Sequence, residues 1–472
     1  MNAINPLSTT TSVCPVCLDR IDAQLISRDG DVFLEKTCPA HGAFSTIVWR
    51  GAPSFDSWRR PKIPSFPARP ATAVQKGCPF DCGLCADHRQ HTCTALLEVT
   101  QRCNLSCAFC FAESGVPGDE KSKRTDPPLS VIRQWYESVL HFSGAANIQI
   151  SGGEPTMRDD LSEIISMGTA MGFGFIQLNT NGILLGTRED LANTLKQAGL
   201  SSVFLQFDGT SDDIYLKIRG KKLLDIKLKA IDRCAAAGIG VVLVPTLVPG
   251  INDTDIGNIV RLAIQQAPGV RGVHFQPVSY FGRFPRRSGN EGRITLPEVL
   301  QAIERQTEGA MAVKHFNPPG CENALCSFHG NFLILKDGGL MPLTPAATGC
   351  CAPPAIAEEG AKKTVSVTAR QWSAPEKPAS MLPMANSSVC CPGKCTSPGE
   401  SAMPLDLNEF ADRVKTHTLS ISAMAFQDAW NLDLERLKDC CIHTVSPDGR
   451  LVPFCAYNLS STDGISLYRK KF

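Results

Sequence analysis

Six short apolar runs, each followed by a helical pattern, recur through the middle of this chain and limit its fold more than any other feature. The candidate strands are 95–100, 147–151, 175–179, 202–207, 240–246 and 271–276. Helical periodicity lies near 129–142, 160–171, 188–198, 222–237 and 254–267. Strands separated by helices of this length pair in parallel through right-handed crossovers. The repeats predict an α/β fold, a partial (β/α)6 barrel. Parallel barrels carry their chemistry at the C-terminal ends of the strands, and there the unusual residues of this sequence fall. Cys103, Cys107 and Cys110 follow the first strand, and Gly152-Gly153-Glu154-Pro155 follows the second. Asn179-Thr-Asn181-Gly182 follows the third, Asp208-Gly209 the fourth, Val248 to Asn252 the fifth and Pro277 to Gly282 the sixth. All six segments would share one rim.

Cysteine usage sets the second constraint. Residues Met1 to Val13 are polar and lack the apolar core of a signal peptide. No apolar run approaches the roughly 18 residues of a membrane-spanning helix. The expected setting is cytoplasmic, with any membrane contact peripheral. In a reducing cytosol, the 21 cysteines of this chain point to metal or redox chemistry rather than to disulfides. Between Phe111 and Pro319 only Cys234 occurs, in an apolar helical pattern that reads as core packing. A hydrophobic content of 43% supports a sizeable core. Lys+Arg 47 against Asp+Glu 46 leaves no electrostatic case for nucleic-acid binding.

Two segments share the spacing C-x3-C-x2-C. Cys103, Cys107 and Cys110 can hold three corners of a four-iron four-sulfur cluster, leaving one iron open to a reactant. Cys78, Cys82 and Cys85 follow a proline-rich linker and have Cys93 nearby as a fourth ligand, which suits a closed auxiliary cluster, with structural zinc as the alternative. Cys14, Cys17, Cys38 and His41 form a C-x2-C…C-x2-H pattern that suits zinc or a single iron. Cys321 and Cys326, with Cys440 or Cys441 and with Cys455, provide four thiolates for a second closed cluster. Cys441 is the preferred member of that adjacent pair. Glycines at 152 and 153 permit close backbone approach, and the Glu154 carboxylate suits an ammonium partner.

The expected organisation is a metal-binding ribbon over 1–50 and a linker with an auxiliary-cluster segment over 51–94. The barrel would span 95–310 and a C-terminal auxiliary-cluster region 311–472. Within the latter, 345–404 is rich in Ala, Pro and Ser and reads as a flexible insertion carrying Cys350, Cys351, Cys390, Cys391 and Cys395.

The motif Gln101-Arg-Cys-Asn-Leu-Ser-Cys-Ala-Phe-Cys-Phe-Ala, with Gly152-Gly-Glu-Pro-Thr about fifty residues on, resembles the radical S-adenosylmethionine (SAM) superfamily. Cys14-Pro-Val-Cys…Cys38-Pro-Ala-His-Gly, Cys78-Pro-Phe-Asp-Cys-Gly-Leu-Cys and Asp448-Gly-Arg…Pro453-Phe-Cys-Ala extend the likeness. Together they resemble the archaeal tetraether lipid synthase group and its bacterial relatives, some described as 7,8-dihydro-6-hydroxymethylpterin methyltransferases. The resemblance implies a SAM-binding 4Fe-4S cluster, two auxiliary 4Fe-4S clusters and one mononuclear iron, where the residues alone leave iron or zinc open. It implies that Gly152 to Pro155 hold SAM, with Asn181 and Asp208 facing its ribose or methionine part. A reducing partner of ferredoxin or flavodoxin type is expected. The leading activity is carbon–carbon coupling of membrane-lipid alkyl chains through a 5′-deoxyadenosyl radical. Pterin methylation is the alternative, and peptide modification a third.

Overall fold

The computed structural model describes residues 5–115, 126–285, 289–344, 354–375 and 407–469. The ribbon is an antiparallel meander of β1 (Asn5–Val13), β2 (Arg20–Arg28), β3 (Asp31–Cys38) and β4 (Gly42–Trp49). Its central hairpin turns on Asp29 and Gly30, at φ 52° and 87°. Two successive residues with positive φ give the turn whose twist matches paired strands.

The barrel strands are β5 (Thr94–Thr100), β6 (Asn147–Gly152), β7 (Ile176–Thr180), β8 (Ser202–Gln206), β9 (Gly240–Val244) and β10 (Val270–Pro277). Each pairs in parallel with the next. β6 and β9 are buried along their whole length, as strands covered on both faces are. Val203, Leu205, Val241 and Leu243 join Ile231 and Ile259 of the covering helices in the main core.

The sheet continues where the sequence suggested it would stop. β11 (Ser327–Ile334), β12 (Leu340–Pro342) and β13 (Thr418–Met424) extend it beyond β10, with β13 parallel to β10 and β11 antiparallel to β13. Gly272 makes the β10–β13 approach feasible, since a Cβ there would lie 2.5 Å from the Ser420 carbonyl oxygen. On the other side, β14 (Ile442–Val445) runs parallel to β5 and forms a hairpin with β15 (Leu451–Pro453). The C-terminal region is therefore part of the barrel sheet.

The reading of 345–404 as flexible is corrected for 354–375, which contains a helix over Ala357–Trp372. Its Trp372 packs 5.6 Å from Phe204 and 6.0 Å from His274, centroid to centroid. Phe204, Val242 and Val244 form a cluster with Trp372 apart from the main core, so this helix covers the sheet face that the other helices leave. It carries few apolar residues, and its burial comes from the surface it meets, which periodicity cannot show. The five cysteines of the insertion lie outside the described residues.

Candidate active site and metal centres

The cysteine loop and the Gly-Gly turn are built as one unit. Gly153 N donates to the Thr100 carbonyl oxygen at 2.8 Å, and Glu154 N donates to that of Arg102 at 2.8 Å. A Cβ on Gly152 would lie 2.2 Å from the Thr100 oxygen, and one on Gly153 2.2 Å from the Arg102 oxygen. Only glycine permits this approach. From the other side, Cys110 and Arg283 exchange backbone hydrogen bonds of 2.8 and 2.9 Å, tying the loop to the segment after β10. Cys103, Cys107 and Cys110 are thus held by backbone contacts and remain partly exposed. Burial pushes the Cys103 thiol up to about 12, with Glu154 and the other two cysteines adding to the rise.

Glu154 is buried, and its carboxylate is already engaged. One oxygen accepts from Thr156 and Thr180, and the other accepts from Asn181 N at 2.7 Å. The residue ties the ends of β6 and β7 together, and the turn presents its backbone to the rim. Asn181 bridges to Asn104 of the cysteine loop at 2.7 Å.

Asp208 has a partner that the sequence did not show. Its side chain is fully buried and accepts a forked pair from Arg219 at 2.7 and 2.8 Å. It holds Arg219, whose guanidinium reaches the Phe109 carbonyl at 3.3 Å and Thr246 at 3.2 Å. Beside them, fully buried Lys227 donates to the backbone carbonyls of Asn181 and Gln206, joining the ends of β7 and β8. Burial pulls its ammonium down to about 8, with Asp208 limiting the fall. Sequence reasoning missed both cations. Arg219 ends a helix over Asp212–Arg219 that was also missed, and Lys227 lies within the 222–237 helical pattern, which did not single it out. A signal was present: an Asp after a strand with Arg-Gly eleven residues on.

The remaining cysteines regroup. Cys14, Cys17, Cys38 and His41 converge, all ligand atoms within 4.8 Å of one another. His41 Nδ1 lies 3.5 Å from Cys14 Sγ and 3.4 Å from Cys38 Sγ. Burial acts to raise the Cys38 thiol, but hydrogen bonds from His41 and the adjacent backbone outweigh it and bring it down to about 7. A Cys38→Ser variant should lose one metal ion per chain with no loss of acid-labile sulfide, measured by elemental and sulfide analysis.

Cys78 and Cys82 share a hydrogen bond that lowers the first thiol and raises the second, and Cys85 lies beside them. Asp81 shapes this loop by accepting from Gln75 N at 2.7 Å and Gly77 N at 2.8 Å, and Tyr468 donates to the Pro79 carbonyl at 2.6 Å. Cys93 is not their neighbour. It lies 3.1 Å from Cys441, sulfur to sulfur, with Cys321 in the same group. Cys326 and Cys455 instead sit with Cys440, both close enough to raise its thiol, and Cys326 also raises that of Cys455. Arg436 donates to Cys326 Sγ at 3.2 Å. The expected quartets thus give way to separate groups. The adjacent Cys440 and Cys441 thus fall in different groups, the first near Cys326 and Cys455 and the second with Cys93 and Cys321.

Comparison with known proteins bears on this arrangement. The Radical SAM superfamily matches residues 97–263, and the HMPTM N-terminal zinc ribbon domain matches residues 6–50. A 7,8-dihydro-6-hydroxymethylpterin dimethyltransferase of Methanocaldococcus jannaschii is 38% identical, over 95% of this chain and 93% of its own. A probable GTP 3′,8-cyclase of Methanothermobacter marburgensis is 32% identical over 38% of this chain and 56% of its own. The crystal structure of Streptococcus suis SuiB bound to precursor peptide SuiA aligns with a TM-score of 0.36 at 14% identity, covering 43% of this chain and 44% of that one. That likeness is too slight to bear on function.

Proposed function

Since this chain belongs to the radical SAM superfamily and, within it, to the family of the Methanocaldococcus jannaschii dimethyltransferase, we propose that it transfers methyl groups from SAM to a reduced pterin. The observation that carries this reading is the 38% identity along nearly the whole of both chains. Membership in the superfamily entails a 4Fe-4S cluster and SAM. The donor chemistry at the rim fits them: three partly exposed thiols on one loop, bordered by a backbone turn that side chains cannot crowd. When bound, the cluster supplies the electron that cleaves SAM to a carbon radical.

In this proposal Cys103, Cys107 and Cys110 hold the cluster. The backbone of Gly152, Gly153, Glu154 and Pro155, with Asn181, borders SAM. Asp208 acts through Arg219, holding its charge against the cysteine loop. Cys78, Cys82 and Cys85 form one auxiliary site, and Cys326, Cys440 and Cys455 another. Cys14, Cys17, Cys38 and His41 bind a single zinc or iron. A ferredoxin or flavodoxin serves as reductant. Among the described residues no helix is long and apolar enough to cross a membrane. Coupling of lipid alkyl chains has no support among the relatives above.

The test uses anaerobically reconstituted protein, a chemical reductant, methyl-deuterated SAM and 7,8-dihydro-6-hydroxymethylpterin. The pterin should gain deuterium-bearing methyl groups, read by mass spectrometry. SAM cleavage with the pterin unchanged, in extracts where lipid chains become joined or a peptide is modified, would overturn the substrate assignment.

A further inference from the structure

Cys93, Cys321 and Cys441 are gathered at the opposite end of the barrel from the reactive rim. Cys93 and Cys441 immediately precede β5 and β14, which pair in parallel with Thr94 opposite Ile442. Cys93 N also donates to the Cys441 carbonyl at 2.8 Å. The two thiols are therefore neighbours by register. Cys321 is brought to them by a loop whose backbone is gripped from two sides: Gln90 donates to its carbonyl at 2.6 Å, and so does the Lys62 ammonium at 2.6 Å. All three cysteines are at most 3% exposed.

Among the described residues only two groups have all their ligand atoms within 4.8 Å of one another: the ribbon quartet and this trio. The trios at Cys78, at Cys103 and at Cys326 are not so closely drawn. That contrast has a chemical meaning. Thiolates on one ion share a coordination sphere of about 2.3 Å radius, whereas a cubane places each cysteine on a different iron and holds them further apart. The trio has the spacing of a mononuclear site.

A fourth candidate donor stands beside Cys441, outside the 4.8 Å grouping of the three thiols. Glu322 Oε2 lies 3.8 Å from Cys441 Sγ. Its other oxygen accepts from Ser327, the kind of support that orients a ligating carboxylate. Lys62 approaches this loop through the carbonyls of Cys321 and Glu322. A buried carboxylate among thiols is costly, and the nearby Lys62 ammonium offsets only part of the burial that raises Glu322.

We propose that Cys93, Cys321, Cys441 and Glu322 bind a single divalent transition-metal ion, zinc or ferrous iron, that staples the 321–322 loop and β14 to the start of β5. Three soft thiolates and one carboxylate suit either ion, and the usual affinity order favours zinc. The position, at the N-terminal end of the barrel strands, is one where residues serve stability rather than chemistry.

The test compares the reconstituted holoprotein with its Cys321→Ser variant by metal and acid-labile sulfide analysis. The variant should lose one zinc or one iron per chain and keep all its sulfide. Loss of about four irons with about four sulfides would show a cluster and overturn the proposal, as would unchanged metal content. Glu322→Cys provides a second measurement that does not depend on weakening the site. After cobalt loading, this variant should show a stronger thiolate-to-cobalt absorption than the wild-type chain. An unchanged spectrum would remove Glu322 from the ligand set. A Cys93–Cys441 disulfide in the anaerobic holoprotein, seen as a mass two hydrogens lower, would overturn the site altogether.

Discussion

Replacing Cys107 with alanine should abolish reductive SAM cleavage and remove about four irons and four sulfides per chain, while leaving the fold intact. The fold should survive because the loop is not anchored by its thiols. Backbone bonds to the Gly152–Glu154 turn and to Arg283 hold it in place, and Arg283 Nε also donates to the Cys107 carbonyl at 2.9 Å, a contact alanine retains. The cluster should not survive, because two thiolates on this loop cannot replace a three-corner attachment. The measurements are 5′-deoxyadenosine formation under reduction, iron and sulfide content, and circular dichroism. Undiminished deoxyadenosine formation, or zinc in place of iron at this loop, would remove the active centre proposed here.

The part of this molecule legible in the sequence is the part written in local pattern. Strand–helix alternation marked β5 to β10 because each is buried on both faces and flanked by turn residues, so the apolar runs are continuous. The Gly-Gly turn was legible for a similar reason: two adjacent glycines after a strand are required by backbone approach and by little else. What could not be read was partnership across long separations. Cys93 and Cys441 are 348 residues apart, and only the pairing of β5 with β14 makes them neighbours. The same ladder decides that Cys440 and Cys441 serve different groups. β13 escaped notice because its apolar residues follow a helix over Leu407–Thr416 without a turn signal. Asp208 was placed at the correct strand end, but its pairing with Arg219 could not be read, since nothing in the sequence shows that Arg219 folds back over it.

That buried pair provides the second large effect. Asp208→Ala should lower stability by about 3–5 kcal/mol, because it leaves the Arg219 guanidinium uncompensated in the interior. Arg219 and Asp208 side chains are 6% and 0% exposed, so water cannot take over the missing carboxylate. SAM cleavage should fall as well, even with all three rim cysteines present, since Arg219 links the end of β8 to the cysteine loop through the Phe109 carbonyl. The double variant Asp208→Ala/Arg219→Met separates the two consequences. Removing both charges should restore most of the lost stability, as replacement of buried ion pairs by apolar residues often does. It should not restore SAM cleavage, because the link to the loop is gone in both variants. Thermal unfolding and deoxyadenosine formation, measured on the two single variants and the double, complete the cycle. If Asp208→Ala alone unfolds within about 1 kcal/mol of the wild-type chain, an effect expected of a surface change, then Arg219 has found another partner and the pair does not organise the rim. If the double variant cleaves SAM as the wild type does, the pair is structural and the cysteine loop positions itself.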